Sequence, residues 1–211
     1  PLQPMGAPFH FGDGGPKLER PLRSEDDITS LRVVDAREET RFVGDAIRLI
    51  RHELDDKTPL IGFAGAPFTL ASYAIEGGAS KSYAVTKALM YGDPGTWHTL
   101  CGKLARVMAD HLRAQVEAGA QAIQLFDSWV GHLGVDDYRE FVLPHSTLVL
   151  GALAEAGVPR INFGVGTGEL LGAMAEAGTE VIGVDWRVPL DEAARRTGER
   201  HPVQGNLDPA V

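Results

Sequence analysis

A chain of 211 residues, 44% hydrophobic and 23% charged, has the composition of an ordinary globular protein and can bury a substantial core. Its net charge of −9, with no basic cluster or stripe, argues against a nucleic-acid partner. The single cysteine, Cys101, excludes an intrachain disulfide framework and is typical of a reducing cytoplasm; neither a basic nor an apolar leader segment follows Pro1, so no secretory signal is expected.

The first quarter of the chain predicts an arm followed by surface helices. Pro1–Arg23 is rich in glycine and proline, which predicts an irregular arm. Ser24 stands before three consecutive acidic residues, a pattern that predicts the start of a helix with Ser24 as its N-cap. Apolar residues at helical spacing predict one helix over Arg37–Leu54, with its many charges on a solvated outer face.

The stretch Thr58–Ser80 predicts a strand that delivers a loop and then a helix. Its apolar run Pro59–Phe63 is typical of a fully buried strand. A Gly-Ala-Pro turn at 65–67 follows, and a helix then begins towards Tyr73. The uncharged window over 58–75 contains two prolines and two glycines, so this interpretation is better than a membrane span. We therefore expect no membrane partner.

The remainder of the chain repeats one pattern three times. The tripeptide Glu-Ala-Gly closes a helix at Gly119, Gly157 and Gly178, and an apolar strand follows each within a few residues. This pattern is typical of a parallel α/β fold, and no linker divides the chain, so we expect one domain over 1–211. The predicted helices are Ser82–Tyr91, Pro94–Gly119, Asp136–Ala156 with an interruption at Pro144, and Leu190–Thr197; the predicted strands are Ala122–Phe126, Pro159–Phe163, Glu180–Val184 and Val203–Gly205.

Polar residues follow several of these strands directly. Asp127 and Ser128 follow one strand, Asp185 another, and Asn206 the last. Residues just beyond the carboxyl ends of parallel strands form the catalytic mouth of a β/α barrel. From the residues alone, however, Asp127 and Asp185 are better interpreted as helix caps, Ser128 as a cap or turn residue, and Tyr73 as a half-buried structural residue.

Four segments resemble the uroporphyrinogen decarboxylase family, in the order that the family has them. They are GFAGAPFTLASYAIEGG from Gly62, GAQAIQLFDS from Gly119, VIGVDW from Val181 and QGNLDP from Gln204. The resemblance implies a (β/α)8 TIM barrel, of which this chain carries about the third to the seventh strand. It also implies a carboxy-lyase that needs no cofactor or metal and removes the four acetate carboxylates of uroporphyrinogen, giving coproporphyrinogen in haem synthesis. Members are often homodimers, so the resemblance further implies a homodimer. It also implies a cytoplasmic protein that binds a tetrapyrrole substrate.

The resemblance also assigns substrate-binding residues by position. Tyr73 and Ser128 match the family's site tyrosine and serine, and Phe63 and Phe126 match apolar residues that line the cleft, although both fit equally well as plain core. The family's RQAGR motif, the aspartate of its FSDIL-type motif and the histidine of its GHG motif have no match in this sequence. No catalytic residue is therefore assigned within the chain, and we expect the 211-residue chain to be inactive alone.

Alternatives from other classes remain at this point. The glycine-rich run Ile161–Gly168, with Asp185 after the next strand, is similar to the cofactor site of S-adenosylmethionine-dependent methyltransferases, but Asn162 stands where those enzymes usually have an acid. A corrinoid methyltransferase would carry a zinc-binding H-x-C motif at Asn162–Gly164, which has neither ligand. A third alternative is a non-catalytic barrel fragment that folds only in a larger assembly, because five parallel strands leave two unpaired edges.

Overall fold

The computed structural model describes residues 1–12, 15–55 and 57–211. The chain opens with α1 (Leu2–Met5) and a hairpin of β1 (Phe9–Gly12) and β2 (Gly15–Leu18). The expected irregular arm over Pro1–Arg23 is therefore wrong for the described residues, and positions 13 and 14 of that arm lie outside them. A contact with a residue far along the chain explains why this segment forms regular structure: the Leu18 amide donates to the Gly77 carbonyl at 3.1 Å.

Three helices follow: α2 (Glu25–Ser30), α3 (Ala36–Glu39) and α4 (Arg41–Leu54). The single helix expected over Arg37–Leu54 is thus broken at Thr40. The Thr40 hydroxyl is buried, donates to the Ala36 carbonyl at 2.5 Å and lies 2.9 Å from Nδ1 of His111. This contact with a residue 71 positions away fixes the break, and the local pattern carries no sign of it.

The predicted N-cap of α2 is confirmed. Ser24 Oγ accepts a hydrogen bond from the Asp27 amide at 3.1 Å, and the Asp27 carboxylate accepts one from the Ser24 amide at 3.2 Å. We expect Ser24→Ala to lower the free energy of unfolding by about 1 kcal/mol, because it leaves a helix-terminal amide unpaired. Urea denaturation of the variant measures the change, with Ser30→Ala at the other end of α2 as the matched control. Equal effects of the two substitutions would contradict this assignment.

Strands and helices alternate through the rest of the chain, as the sequence predicts, with boundaries that differ by at most a few residues. The predicted helix Asp136–Ala156 is split at Val142, two residues before Pro144. The elements are β3 (Ile61–Gly65), α5 (Pro67–Glu76), α6 (Ala84–Gly92), α7 (Pro94–Glu117), β4 (Ala122–Asp127), α8 (Val135–Phe141), α9 (Leu143–Gly151), β5 (Arg160–Gly164), α10 (Leu171–Ala175), β6 (Val181–Val184), α11 (Leu190–Arg196) and β7 (Val203–Gly205), with single 3-10 turns at Val130–His132 and Gly168–Leu170.

The five strands from β3 to β7 form one parallel sheet in strictly sequential order. A doubly wound nucleotide-binding sheet reverses its strand order at the ligand crevice, and this sheet does not. Sequential parallel strands, each followed by helical chain, form the wall of a β/α barrel. The α/β class is confirmed, and the strand order excludes the sheet that an S-adenosylmethionine-dependent methyltransferase requires.

The two faces of the sheet have different surroundings. On the helical side, Ile123, Leu125 and Ile182 are fully buried against a core whose centre is α7 with Trp97. The opposite, inner face carries the alternate residues of each strand, among them Phe63. At the open edge of β3, the side-chain amide of Gln115 pairs with the Phe63 backbone, accepting from its amide at 3.0 Å and donating to its carbonyl at 2.8 Å. Within the described residues, no helix has the length and apolar character that crossing a membrane requires.

Candidate active site

A row of phenylalanine rings lies on the inner face of the sheet. Phe63 and Phe126 meet edge to face with ring centroids 5.6 Å apart, and Phe126 meets Phe163 in the same way at 5.5 Å. Phe163 packs against Gly183, where a Cβ atom would lie only 2.7 Å from the phenylalanine side chain. Phe63, on the edge strand of the sheet, is 61% exposed, and the row forms an apolar wall on this face.

Tyr73 and Ser128 belong to neighbouring strand–helix units that meet in one aromatic cluster. Tyr73 lies on α5, and Ser128 directly follows β4. The ring of Trp129, the next residue, lies against Tyr73 with centroids 3.9 Å apart, and Tyr83 packs on Trp129 at 5.1 Å. Burial, with smaller contributions from Tyr73 and Glu76, raises the pKa of Tyr83 to about 12, so its phenol stays neutral at physiological pH. Sequence reasoning did not single out Trp129 or Tyr83 as part of this cluster.

A hydrogen bond between the Thr69 hydroxyl and the Asp127 carboxyl joins α5 to the end of β4 next to this cluster. Thr69, four residues before Tyr73 on α5, donates its hydroxyl to Oδ1 of Asp127 at 2.7 Å. The same oxygen of Thr69 accepts a hydrogen bond from the Trp129 amide at 3.3 Å. Asp127 therefore does not cap the helix that follows it: its side chain is directed at the first turn of α5, and Asp127 is only 2% exposed. Thr69 lies within the family-like segment from Gly62, so the family resemblance is the sequence signal that marks it.

Burial raises the pKa of the Asp127 carboxyl to about 7, although the Thr69 hydrogen bond opposes the shift. Between the ordinary aspartate pKa of 3.8 and about 7, the folded protein holds a proton here that the unfolded chain has lost. The free energy of unfolding must therefore fall as the pH rises through this window, and it keeps this lowered value at higher pH.

We expect Asp127→Asn to remove this pH dependence while an amide oxygen still faces Thr69. Relative to the wild type, the variant should gain stability between pH 5 and pH 8, by a few kcal/mol at most. Urea denaturation at both pH values measures the difference. Asp110→Asn, which removes an exposed carboxylate paired with Arg113 at 2.8 Å, is the control and should show little pH dependence. A difference between variant and wild type that is the same at both pH values would contradict the assignment.

Asp185 joins the loops that follow β5 and β6. Its carboxylate, 2% exposed, accepts hydrogen bonds from the Gly166 amide at 2.5 Å, the Arg187 amide at 3.0 Å and Nη1 of Arg187 at 2.7 Å. Asp185 thus does not cap the following helix. It accepts a hydrogen bond from an amide of the glycine-rich loop, and a nucleotide bound there would need that amide as a donor. The Arg187 guanidinium also stacks on Trp186, 3.9 Å from the ring, and half of its side chain stays exposed.

The described residues contain no group of three or more histidine, cysteine or acidic side chains placed to hold a metal ion. Asn162, in the position of the H-x-C motif, donates its amide to the Met174 carbonyl at 3.2 Å on the helical side of the sheet. Cys101 is fully buried on α7, and burial raises the pKa of its thiol. The corrinoid interpretation therefore has no support from these side chains.

Comparison with known proteins identifies the family. The model of the family described as "Uroporphyrinogen decarboxylase (URO-D)" matches residues 1–211, the whole chain. The chain belongs to the uroporphyrinogen decarboxylase family. The family resemblance of the four segments is thereby confirmed. Tyr73 and Ser128 were matched to positions of this same family. The methyltransferase alternatives are set aside.

Curated relatives named uroporphyrinogen decarboxylase match over the full chain. The protein of Sorangium cellulosum is 59% identical over 212 residues, and those of Streptomyces avermitilis and Rhodococcus erythropolis are each 57% identical, over 212 and 213 residues. All three alignments cover 100% of this chain but 61%, 59% and 59% of the relatives, so the chain spans about three fifths of their length.

A solved structure supports the fold. A methyltransferase from Methanosarcina mazei superimposes with a TM-score of 0.72 at 19% identity, covering 98% of this chain and 61% of that protein. At this identity the likeness concerns the fold alone. Both proteins share the alternation of parallel strands and helices.

Proposed function

We propose that this protein is a uroporphyrinogen decarboxylase, converting the acetate groups of uroporphyrinogen to methyl groups and so giving coproporphyrinogen. The observation that carries the proposal is that a chain of this family has two site hydroxyls on the units of β3 and β4, the strands whose phenylalanine rings meet in the apolar wall. Tyr73 on α5 and Ser128 after β4 provide the hydroxyls, and Phe63 and Phe126 provide the rings. Arg187 adds an exposed guanidinium to the segments that follow the strands.

The chemistry gives each residue type a task. Each step protonates a pyrrole ring carbon, releases the acetate carboxylate as CO2, protonates the remaining methylene carbon to a methyl group and finally removes the proton that was added to the ring carbon. The Tyr73 and Ser128 hydroxyls would donate to substrate carboxylates. The phenyl wall would disfavour the charged acetate more than the neutral products, and so favour loss of CO2. The reaction as proposed consists of proton transfers and loss of CO2 and draws on no cofactor.

The assay uses the protein expressed from its own gene, incubated with uroporphyrinogen under anaerobic conditions. After oxidation to porphyrins, chromatography separates products by their number of carboxylates. We expect intermediates with seven, six and five carboxylates and a final product with four. Unchanged octacarboxylate, under conditions in which the Sorangium cellulosum relative turns it over, would contradict the proposal.

We also propose a cytoplasmic homodimer that needs neither nucleic acid nor membrane. The family supports a homodimer, because its members often form one. The net charge of −9 argues against a nucleic-acid partner. Multi-angle light scattering on the protein expressed from its own gene tests the oligomeric state. A mass equal to one polypeptide across a hundredfold range of concentration would contradict it.

A further inference from the structure

Ser128 lies between two residues that the same hydroxyl group holds. On one side Asp127 accepts a hydrogen bond from Thr69 Oγ1 at 2.7 Å, and on the other the Trp129 amide donates to that oxygen at 3.3 Å. Thr69 is itself buried, on a helix whose N-cap Ala66 donates its amide to the Phe126 carbonyl at 2.7 Å. The backbone on both sides of Ser128 is thus fixed to α5.

The second site residue is tied to the same point. Thr69 and Tyr73 are four residues apart on α5, so their side chains lie on one side of the helix. The Trp129 ring, whose amide Thr69 holds, lies 3.9 Å from the Tyr73 ring. Trp129 therefore contacts Thr69 through its amide and Tyr73 through its ring, and Ser128 is the residue directly before Trp129.

We propose that Thr69 is a positioning residue that fixes the Ser128 and Tyr73 hydroxyls relative to each other. This inference rests on the function proposed for the same site. A threonine hydroxyl is suited to this task because it donates one hydrogen bond and accepts another at the same time. Valine has the same shape and can do neither. A substrate held by two hydroxyls from different elements reacts efficiently only when their separation is fixed.

The test compares decarboxylation by the wild type, Thr69→Val and Thr69→Ser, each expressed from the full gene. We expect Thr69→Val to lower kcat about tenfold with a smaller change in KM, and Thr69→Ser to restore most of the rate. Thr99→Val is the matched control, since the Thr99 hydroxyl bonds only to the Gly95 carbonyl in its own helix among the described residues. If Thr69→Val does not fold, Thr69→Ala replaces it.

A second comparison separates positioning from a general loss of structure. In the Tyr73→Phe/Ser128→Ala background there are no hydroxyls left to position, so Thr69→Val should cost less than about a further twofold. The same loss of kcat in both backgrounds, or a Thr69→Ser variant as slow as Thr69→Val, would overturn the proposal.

Hydrogen exchange gives a readout that does not depend on activity. In Thr69→Val we expect the amide of Trp129, which donates to the Thr69 hydroxyl, to lose protection while the amides in the middle of α7 keep theirs. Unchanged protection at the Trp129 amide would also overturn the positioning role. A wild-type protein that leaves uroporphyrinogen unchanged would contradict the proposed function instead, and the exchange experiment would then decide the positioning role by itself.

Discussion

Replacing Tyr73 by phenylalanine is expected to lower kcat/KM for uroporphyrinogen by about 10- to 100-fold. The phenol would donate a hydrogen bond to a charged substrate carboxylate, and losing such a bond costs about 1.5–3 kcal/mol. The ring itself remains and keeps its 3.9 Å stacking on Trp129, so the fold should be unaffected. Steady-state kinetics, together with the thermal unfolding midpoint, separate the two effects.

The matched control for this variant is Tyr91→Phe. The Tyr91 hydroxyl is exposed on α6 and donates to the Asp137 carboxylate at 2.8 Å, away from the phenylalanine row. We expect its kcat/KM to stay within about twofold of the wild type. Unchanged kcat and KM in Tyr73→Phe would remove Tyr73 from the site.

Gly131→Ala is expected to lower the free energy of unfolding by about 3 kcal/mol. The loop after β4 meets the loop after β5 so closely here that a Cβ atom on Gly131 would lie 2.7 Å from the Gly166 carbonyl oxygen and nearer still to that of Val165. Both obstacles are backbone atoms, so one loop must move. Because Gly131 is three residues after Ser128, the site should be disturbed along with the stability.

Gly134→Ala is the control for this effect. It lies at the end of the same loop, and the nearest atom to its Cβ would be Oδ2 of Asp137 at 4.0 Å, an ordinary contact. Its backbone φ of −75° also suits an alanine. We expect a change below about 1 kcal/mol. Chemical denaturation of the two variants side by side measures the contrast, and equal stabilities would show that the loops do not meet as described.

Much of the fold could be predicted from the sequence because its signals are local. Apolar runs, glycine caps and the acids after Ser24 each act within a few residues, and they located the five parallel strands and most helices. The errors came from distant contacts. The hairpin within Pro1–Arg23 depends on α5, with Pro16 in a strand where its residue type argues against one, and the break at Thr40 depends on His111.

The candidate site was predictable only in part. Tyr73, Ser128, Phe63 and Phe126 came from the resemblance to the family, since a lone tyrosine or serine after a strand has several ordinary roles. The hydrogen bonds from Thr69 to Asp127 and from Gly166 to Asp185 could not be predicted, because each joins residues that are far apart in the sequence. Asp127 is held by α5, and Asp185 binds the loop after β5 in addition to the nearby Arg187.

The most direct test of the account is a crystal structure, with coproporphyrinogen bound, of the protein expressed from its own gene. We expect the macrocycle to lie against the rings of Phe63 and Phe126, with the Tyr73 and Ser128 hydroxyls within about 3.5 Å of polar atoms of the ligand. A macrocycle bound elsewhere, with both hydroxyls free of it, would contradict the assignment of this face of the sheet as the decarboxylation site.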